Sequence, residues 1–516
     1  MAARDRYTVK PSEVDRIIIH RAGPKNPKSS QYLIRWKSSD VAYPPLSWHG
    51  LHELGEALHF VQDYIRMYKQ SRANNTSQLQ TQAGLKRKRS PNQLLTPEGS
   101  TSPKSRGISI TSDTKDSEHD TIVFNAILHR EAGQYVAVAS KATMLDARTL
   151  PSEEMTLHAA SVDMKDAEHA IRQKYISRLA TLQPPVAFRN DVDRETPSLS
   201  FRFTNKYILR DGVSKAVDLV LGCQQCKPNM GANRGCEYTK KCDCLEFAHP
   251  DLDKLDDDQR AEFDARVADG ENPSTFGLPK RFPYYNSGPR AGCLMDFYLR
   301  ERHVIYECNE SCLCGPRCKN RNVQHGRRVP LEIFKTANSR GFGLRCLEPL
   351  RRGQFIDTYL GEVITDAEAN AREKVGALDK SSYLFGLDKF VGGTLGDGSV
   401  IDSEHCHVVD GELVGGPTRF MNHSCEPNVQ IHAVSYNKYD YFVYDLAFFA
   451  AENVPRGQEL TFDYMDADDA NAPDETKMEG LEGAKGEVPG LGGDAEGRNV
   501  AECRCGAERC RRWLWQ

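Results

Sequence analysis

The sequence predicts a mostly β protein with small helices, assembled from several modules of which two are held together by metal. Three observations carry that expectation. Thirteen of the sixteen cysteines fall in tight groups whose spacings suit metal ligation. From Val329 onward the chain reads as short apolar runs broken by glycine turns, the pattern of short strands. Between these stretches lie polar segments with no apolar periodicity, so a chain of 516 residues should form several domains and not one core.

The first seventy residues are taken as one module. Val14–His20 and Gln31–Lys37 read as strands, and Ser47–Leu54 leads into Glu56–Tyr68. There Ala57, Phe60, Val61, Tyr64, Ile65 and Tyr68 share one helical face. Three short strands closed by a helix, with "YLIRW" and then "SW", resemble a chromodomain, a small barrel with a helix. That resemblance implies a cage that holds methylated lysine by cation–π attraction, with Trp36 as one wall and a methylated histone as the partner; the alternative is a small barrel used for other contacts, with Trp36 and Trp48 as ordinary core. Ser12 and Ser39 stand where the other two aromatics are expected, and Tyr7 or Tyr43 are the available substitutes.

Residues 71–120 are rich in Ser, Thr, Gln, Asn and Pro and are expected to be a disordered linker. Lys86-Arg87-Lys88-Arg89 within it suits a nuclear import signal, or else a solvated charge run. Residues 121–205 carry strand signals at Ile122–Leu128 and Tyr135–Ala139 and a helix signal over Ala159–Leu182, but no assignable chemistry.

A net charge of −4 excludes a globally basic nucleic-acid binder while leaving local basic patches open. No apolar run is long enough to span a bilayer, and Met1–Lys10 has no signal-peptide core. The expected compartment is therefore reducing, cytosolic or nuclear, with no membrane partner. Cysteines there read as metal ligands before disulfides. Nine of them, Cys223, Cys226, Cys236, Cys242, Cys244, Cys308, Cys312, Cys314 and Cys318, lie on either side of an acidic insert around Asp251–Asp269. Three tetrahedral zincs need twelve ligand places, and nine thiolates fill them if three bridge. Such a cluster carries a formal charge of about −3, which Lys227, Lys240, Lys241, Arg317, Lys319 and Arg321 are placed to offset. Cys293, Cys346 and Cys406 lie outside the groups and are expected to be buried or free thiols.

The nine-cysteine pattern resembles the pre-SET module of lysine methyltransferases. It departs in one place, Cys223-x-x-Cys226 standing where the family has Cys-x-Cys. Then come Arg340-Gly341-Phe342-Gly343, Tyr359-Leu360-Gly361-Glu362, Tyr383-Leu384-Phe385, Arg419-Phe420-Met421-Asn422-His423-Ser424-Cys425-Glu426-Pro427-Asn428 and Glu459-Leu460-Thr461-Phe462-Asp463-Tyr464. In that order they resemble a SET domain, a β fold with a pseudoknot, and in particular the suppressor-of-variegation class of fungal heterochromatin histone H3 lysine-9 methyltransferases.

The resemblance implies boundaries of 206–326 for pre-SET, 327–465 for SET, 466–500 for an acidic linker and 501–516 for a post-SET tail. It implies S-adenosylmethionine as cofactor, three zincs in pre-SET and one in post-SET, the last held by Cys425, Cys503, Cys505 and Cys510. Tyr464, Tyr383, His423 and Phe462 would form the catalytic set, with Phe462 leaving room for di- or trimethylation. Arg340, Gly341, Phe342, Gly343, Tyr383, Arg419, Asn422, His423, Tyr464 and Trp515 would hold the cofactor. The histone H3 tail, presented by the nucleosome, would be the substrate, and heterochromatin in the nucleus the place of action. The alternatives are another histone or non-histone lysine, or a catalytically dead scaffold. The acidic 466–500 segment is either a passive linker, an attractor of the basic tail, or an inhibitor acting through Lys477 or Lys485.

Overall fold

The computed structural model describes residues 8–24, 29–37, 44–85, 120–125, 128–131, 134–137, 142–217, 220–228, 236, 243–269, 278, 280–375, 383–465 and 502–514. Two compact units divide the chain, Met1–Tyr175 and Ile176–Gln516.

In the first unit, Val14–Ala22, Ser30–Trp36 and Leu46–Gly50 form an antiparallel meander. The sheet then continues through Asp120–Phe124, parallel to the third strand, and Ala142–Asp146. The long helix Leu58–Leu85 buries Leu58, Val61 and Ile65. It overturns the expected disorder over 71–85. No Pro or Gly interrupts Leu58–Ala83, so the amphipathic turns nucleate a helix that its polar continuation propagates. The helix expected over Ala159–Leu182 is two helices, Glu153–Ala160 and Lys165–Leu179, the first capped by the Ser152 hydroxyl accepting from the Met155 amide.

Trp36 is a correction. It has no exposed surface, and its indole Nε1–H donates to the Ser47 hydroxyl at 2.6 Å. Both the ring and its polar atom are used in the core, so it offers no cage wall to a ligand. Tyr7, Ser39, Tyr43 and the Lys86–Arg89 cluster lie outside the described residues.

Among the described residues the second unit has three sheets of four or five strands and a two-stranded one. One runs in the order Val186–Arg189, Leu331–Lys335, Phe342–Cys346, Glu459–Phe462, Asn422–His423. Leu331 and Ile333 point inward while their neighbours are half-exposed, the alternation of a sheet with one solvated face. The second sheet orders Ile305–Tyr306, Val429–Ser435, Asp445–Ala450 and Phe355–Tyr359. Its inner strands are buried on both faces, and the short helix Asp296–Glu301 packs Phe297 and Tyr298 onto Phe449 and Val434. The third orders Ile208–Leu209, Glu362–Thr365, His407–Asp410 and Leu384–Gly386. Gly353 turns between modules at φ +80°, where a Cβ would meet the Leu294 carbonyl at 2.3 Å.

The chain before the first cysteine pair enters this architecture three times. Val186–Arg189 pairs with Leu331–Phe334, Arg202–Phe203 with Val414–Gly415, and Ile208–Leu209 with Glu362–Val363, all parallel. The acidic insert carries a helix, Asp257–Ala268, started by a capping box between Asp256 and Gln259.

A buried ion pair pins the cysteine-rich segment to the second sheet, Arg327 Nε lying 3.1 Å from Asp357 Oδ2. Burial raises the Asp357 carboxyl to about 6, with Arg327 pulling against it. Arg327→Met strands that carboxyl, so stability should fall by about 3–5 kcal/mol in urea unfolding at pH 8. The double variant Arg327→Met/Asp357→Leu should recover most of the loss, because it removes both charges together.

Candidate active site

The site forms where two distant segments of the chain meet at a crossing. Asn422–His423 runs parallel to Thr461–Phe462, on the strand whose Glu459 and Leu460 pair antiparallel with Arg345 and Leu344. Two residues of pairing cannot hold this alone. Asn428 supplies the lock, its amide donating to the Glu459 carbonyl at 2.8 Å and accepting from the Thr461 amide at 3.0 Å.

Around the crossing, Asn422 Nδ2 donates to Glu459 Oε1 at 2.8 Å, and Arg340 Nη2 reaches Glu459 Oε2 at 2.5 Å. Gly343 permits this, since a Cβ there would stand 2.8 Å from Glu459 Oε1. Ser339 and Gly341 both take positive φ, 63° and 78°, so the turn before Phe342 bares its backbone.

The aromatic side of the site is continuous. Phe462 is buried with its ring 4.8 Å from Tyr464, 5.0 Å from Phe448 and 5.8 Å from Phe385. The Tyr464 hydroxyl donates to the Met421 carbonyl at 2.8 Å. Burial pushes its pKa well up, helped by Tyr383, so it stays a phenol. Arg419 stacks over Tyr383 at 4.4 Å, Phe201 at 4.7 Å and Phe420 at 4.8 Å, and donates to the Gly411 carbonyl. The expected place of Arg419 beside a cofactor is thus refined: its guanidinium braces Tyr383 from behind. Arg340 is likewise held by its side chain to Glu459, leaving its turn to offer backbone groups.

His423 joins the site to a metal centre. Burial lowers its pKa to about 4, so the ring is neutral. Its Nδ1 accepts from the Tyr464 amide at 3.2 Å, which leaves the proton on Nε2, 3.3 Å from Cys425 Sγ. An imidazole that binds backbone on one side and donates to a thiolate on the other is a metal-site support. Cys425, Cys503, Cys505 and Cys510 place all four sulfurs within 4.8 Å of one another. Cys425 Sγ lies 3.8 and 4.0 Å from those of Cys503 and Cys510. A tetrahedral zinc with Zn–S near 2.3 Å gives sulfur separations of about 3.8 Å, so the set fits zinc. The tail is also clamped by Arg511 to Asp463 at 2.6 Å and by Arg509 to Glu426 at 2.9 Å.

The larger cluster groups in the same way. Cys236, Cys308, Cys314 and Cys318 converge, as do Cys223, Cys226 and Cys244, and Cys244, Cys308 and Cys312. Cys244 and Cys308 each serve two groups, which supplies two of the three bridges that nine thiolates need to hold three zincs. Donors face the sulfurs: the Asn320 amide on Cys308 at 3.4 Å, and the Arg321 guanidinium on Cys314 at 3.6 Å. Of the expected offsetting cations Arg321 takes that role, whereas Lys319 donates to the Asn286 carbonyl. Cys293, Cys346 and Cys406 are buried and join no metal group. Cys242, Lys240, Lys241 and Trp515 lie outside the described residues.

Residues 178–321 match the Pre-SET motif and residues 341–465 the SET domain. The chain is 38% identical over 336 residues to the H3 lysine-9 specific histone-lysine N-methyltransferase KMT1 of Fusarium mangiferae, covering 64% of this chain and 88% of that protein. This chain belongs to the SET-domain histone-lysine N-methyltransferases. Against the H3 lysine-9 specific enzyme dim-5 of Neurospora crassa it is 36% identical over 339 residues, covering 64% of this chain and 89% of that one. The solved Neurospora SET domain protein DIM-5 superposes with a TM-score of 0.44 at 35% identity, covering 54% of this chain and 95% of that one.

Glu459, Asn428, Asp463 and Arg511 were not singled out by sequence. Glu459 and Asp463 sit inside the Glu459–Tyr464 motif, and Asn428 ends the motif that begins at Arg419; those motifs are the signals that pointed to them. In this methyltransferase Cys425→Ser should lower bound zinc from four to three per chain by metal analysis, with the nine-cysteine cluster intact.

Proposed function

We propose that this methyltransferase di- and trimethylates lysine 9 of the histone H3 tail in heterochromatin, with S-adenosylmethionine as donor. The observation that carries the reading is the aromatic wall of Phe385, Phe448, Phe462 and Tyr464 ending at the Tyr464 hydroxyl, beside the Asn422 crossing. The H3 lysine-9 specificity in the names of the two fungal relatives supports the target.

The donor supplies an electrophilic methyl carried on a sulfonium. The bare backbone around Gly341, the Asn422 amide and the His423 segment are the groups that would hold it. A polar amide, open glycine backbone and aromatic surface fit an adenosine with a charged amino-acid tail.

The rest of the chemistry belongs to the chain. Free lysine, with a pKa of about 10.4, arrives as an unreactive ammonium. An apolar aromatic channel disfavours that charge by desolvation, and a neighbouring sulfonium disfavours it further. The amine loses its proton to water before attack, and no side chain of high basicity is required. Tyr464, kept as a phenol and tethered to Met421, orients the amine. Tyr383, braced by Arg419, forms the facing wall. The aromatic rings exclude water while tolerating the positive charge that remains on a methylated amine. Phe462 leaves space where a hydroxyl would occupy the channel, which allows a lysine already carrying methyl groups to turn and react again.

Site mapping by mass spectrometry after reaction with H3 tail peptides should find di- and trimethyl groups on lysine 9. Methyl groups on another lysine, or none with zinc-replete protein, would overturn the reading. Tyr464→Phe should lower kcat by about 10²-fold through misalignment, with a smaller change in peptide KM. Phe462→Tyr should keep turnover but shift the product towards monomethyl-lysine in the same spectra.

A further inference from the structure

A basic groove lies on the cysteine-rich module. Next to the zinc cluster is an open groove of about 550 Å³ whose lining includes Arg317, Lys319, Arg321, His325 and Arg328 and no Asp or Glu. Arg321 is committed to the cluster through Cys314 and the Asn309 carbonyl. Arg317 and Arg328 are different. Both are exposed, and neither has an acidic partner or a bond to sulfur among the described residues. The adjacent Arg327, by contrast, is buried against Asp357, so the chain points one arginine inward and the next outward.

Among the described residues neither guanidinium bonds to a cluster sulfur, the contact by which Arg321 offsets the cluster's charge. We propose that this groove binds the phosphodiester backbone of duplex DNA, holding the enzyme on the nucleosome whose tail it methylates. The proposal rests on the histone reading above for its context. Arginine presents a planar fork that matches phosphate oxygens, and protein–DNA interfaces are polar and positively charged. A protein partner would need buried apolar anchors, which this polar lining scarcely offers. The groove contains no element that could enter a base-pair groove, so binding would be insensitive to sequence. It also provides the local basic patch that the net charge of −4 leaves open.

The test uses the full zinc-loaded chain and a fluorescent 20-base-pair duplex of arbitrary sequence, by anisotropy across a salt series. Arg317→Ala/Arg328→Ala should weaken binding on the order of tenfold at low salt and flatten the log–log salt slope by about 1.8, two phosphate contacts at about 0.9 each. Methylation of the free H3 peptide should be unchanged, since neither residue belongs to the catalytic machinery, while nucleosome methylation should show a raised KM. Equal affinity and slope in variant and parent would overturn the proposal. So would a loss confined to single-stranded RNA of the same length. Failure of the histone reading would appear separately, as absent peptide methylation by the parent with duplex binding intact.

Discussion

The active site depends on a crossing that the backbone alone cannot sustain. Asn422–His423 makes only two residues of parallel pairing with Thr461–Phe462, and side chains complete it. Asn428 binds both edges of the Glu459–Thr461 peptide, Glu459 holds Asn422 and Arg340, and His423 holds Tyr464. Each of these polar groups is at least half-buried and satisfied, which makes the network rigid and costly to open. The Tyr464 phenol is therefore placed by the same contacts that prevent the crossing from slipping.

Metal extends that rigidity where hydrophobic material is scarce. The buried cluster at the heart of the cysteine-rich module consists of seven cysteines, with Cys244 and Phe282 packed against them. Sulfur and zinc there replace the aliphatic core that so short a segment cannot assemble. The tail has even less, and it reaches the catalytic strand through Cys425, Arg511 and Arg509. The His423 imidazole lies between the two systems, so ordering of the tail and the setting of Tyr464 share one side chain.

Much of the catalytic half was legible because its chemistry fixes residue type. Leu331–Lys335 and Phe342–Cys346 are strands in the stretch after Val329 that reads as short strands, set off by glycine turns. The three tail cysteines meet Cys425 as the family resemblance implied. What escaped reading has physical causes. Strands of two to four residues, such as Arg202–Phe203 and Ile208–Leu209, are too short to show a period and find partners far along the chain. The helix beyond Tyr68 is polar, so composition pointed to disorder while backbone propensity decided otherwise. Trp36 looked like a binding residue because an indole serves a cage and a core equally well; only its bond to Ser47 separates the two. Phe201 gave no sign that it would brace Arg419, since that contact spans more than two hundred residues.

The three returns of the chain between Val186 and Leu209 redraw where the catalytic body begins. Leu331–Lys335 has Val186–Arg189 as its outer neighbour. A protein cut at the first cysteine pair would keep every ligand and every catalytic side chain, yet it would bare the hydrogen-bonding edge of that strand. Unpaired edges of this kind recruit other chains. The leading segment thus acts as a selvedge, finishing the border of the enzyme's sheet so that it does not fray into aggregates.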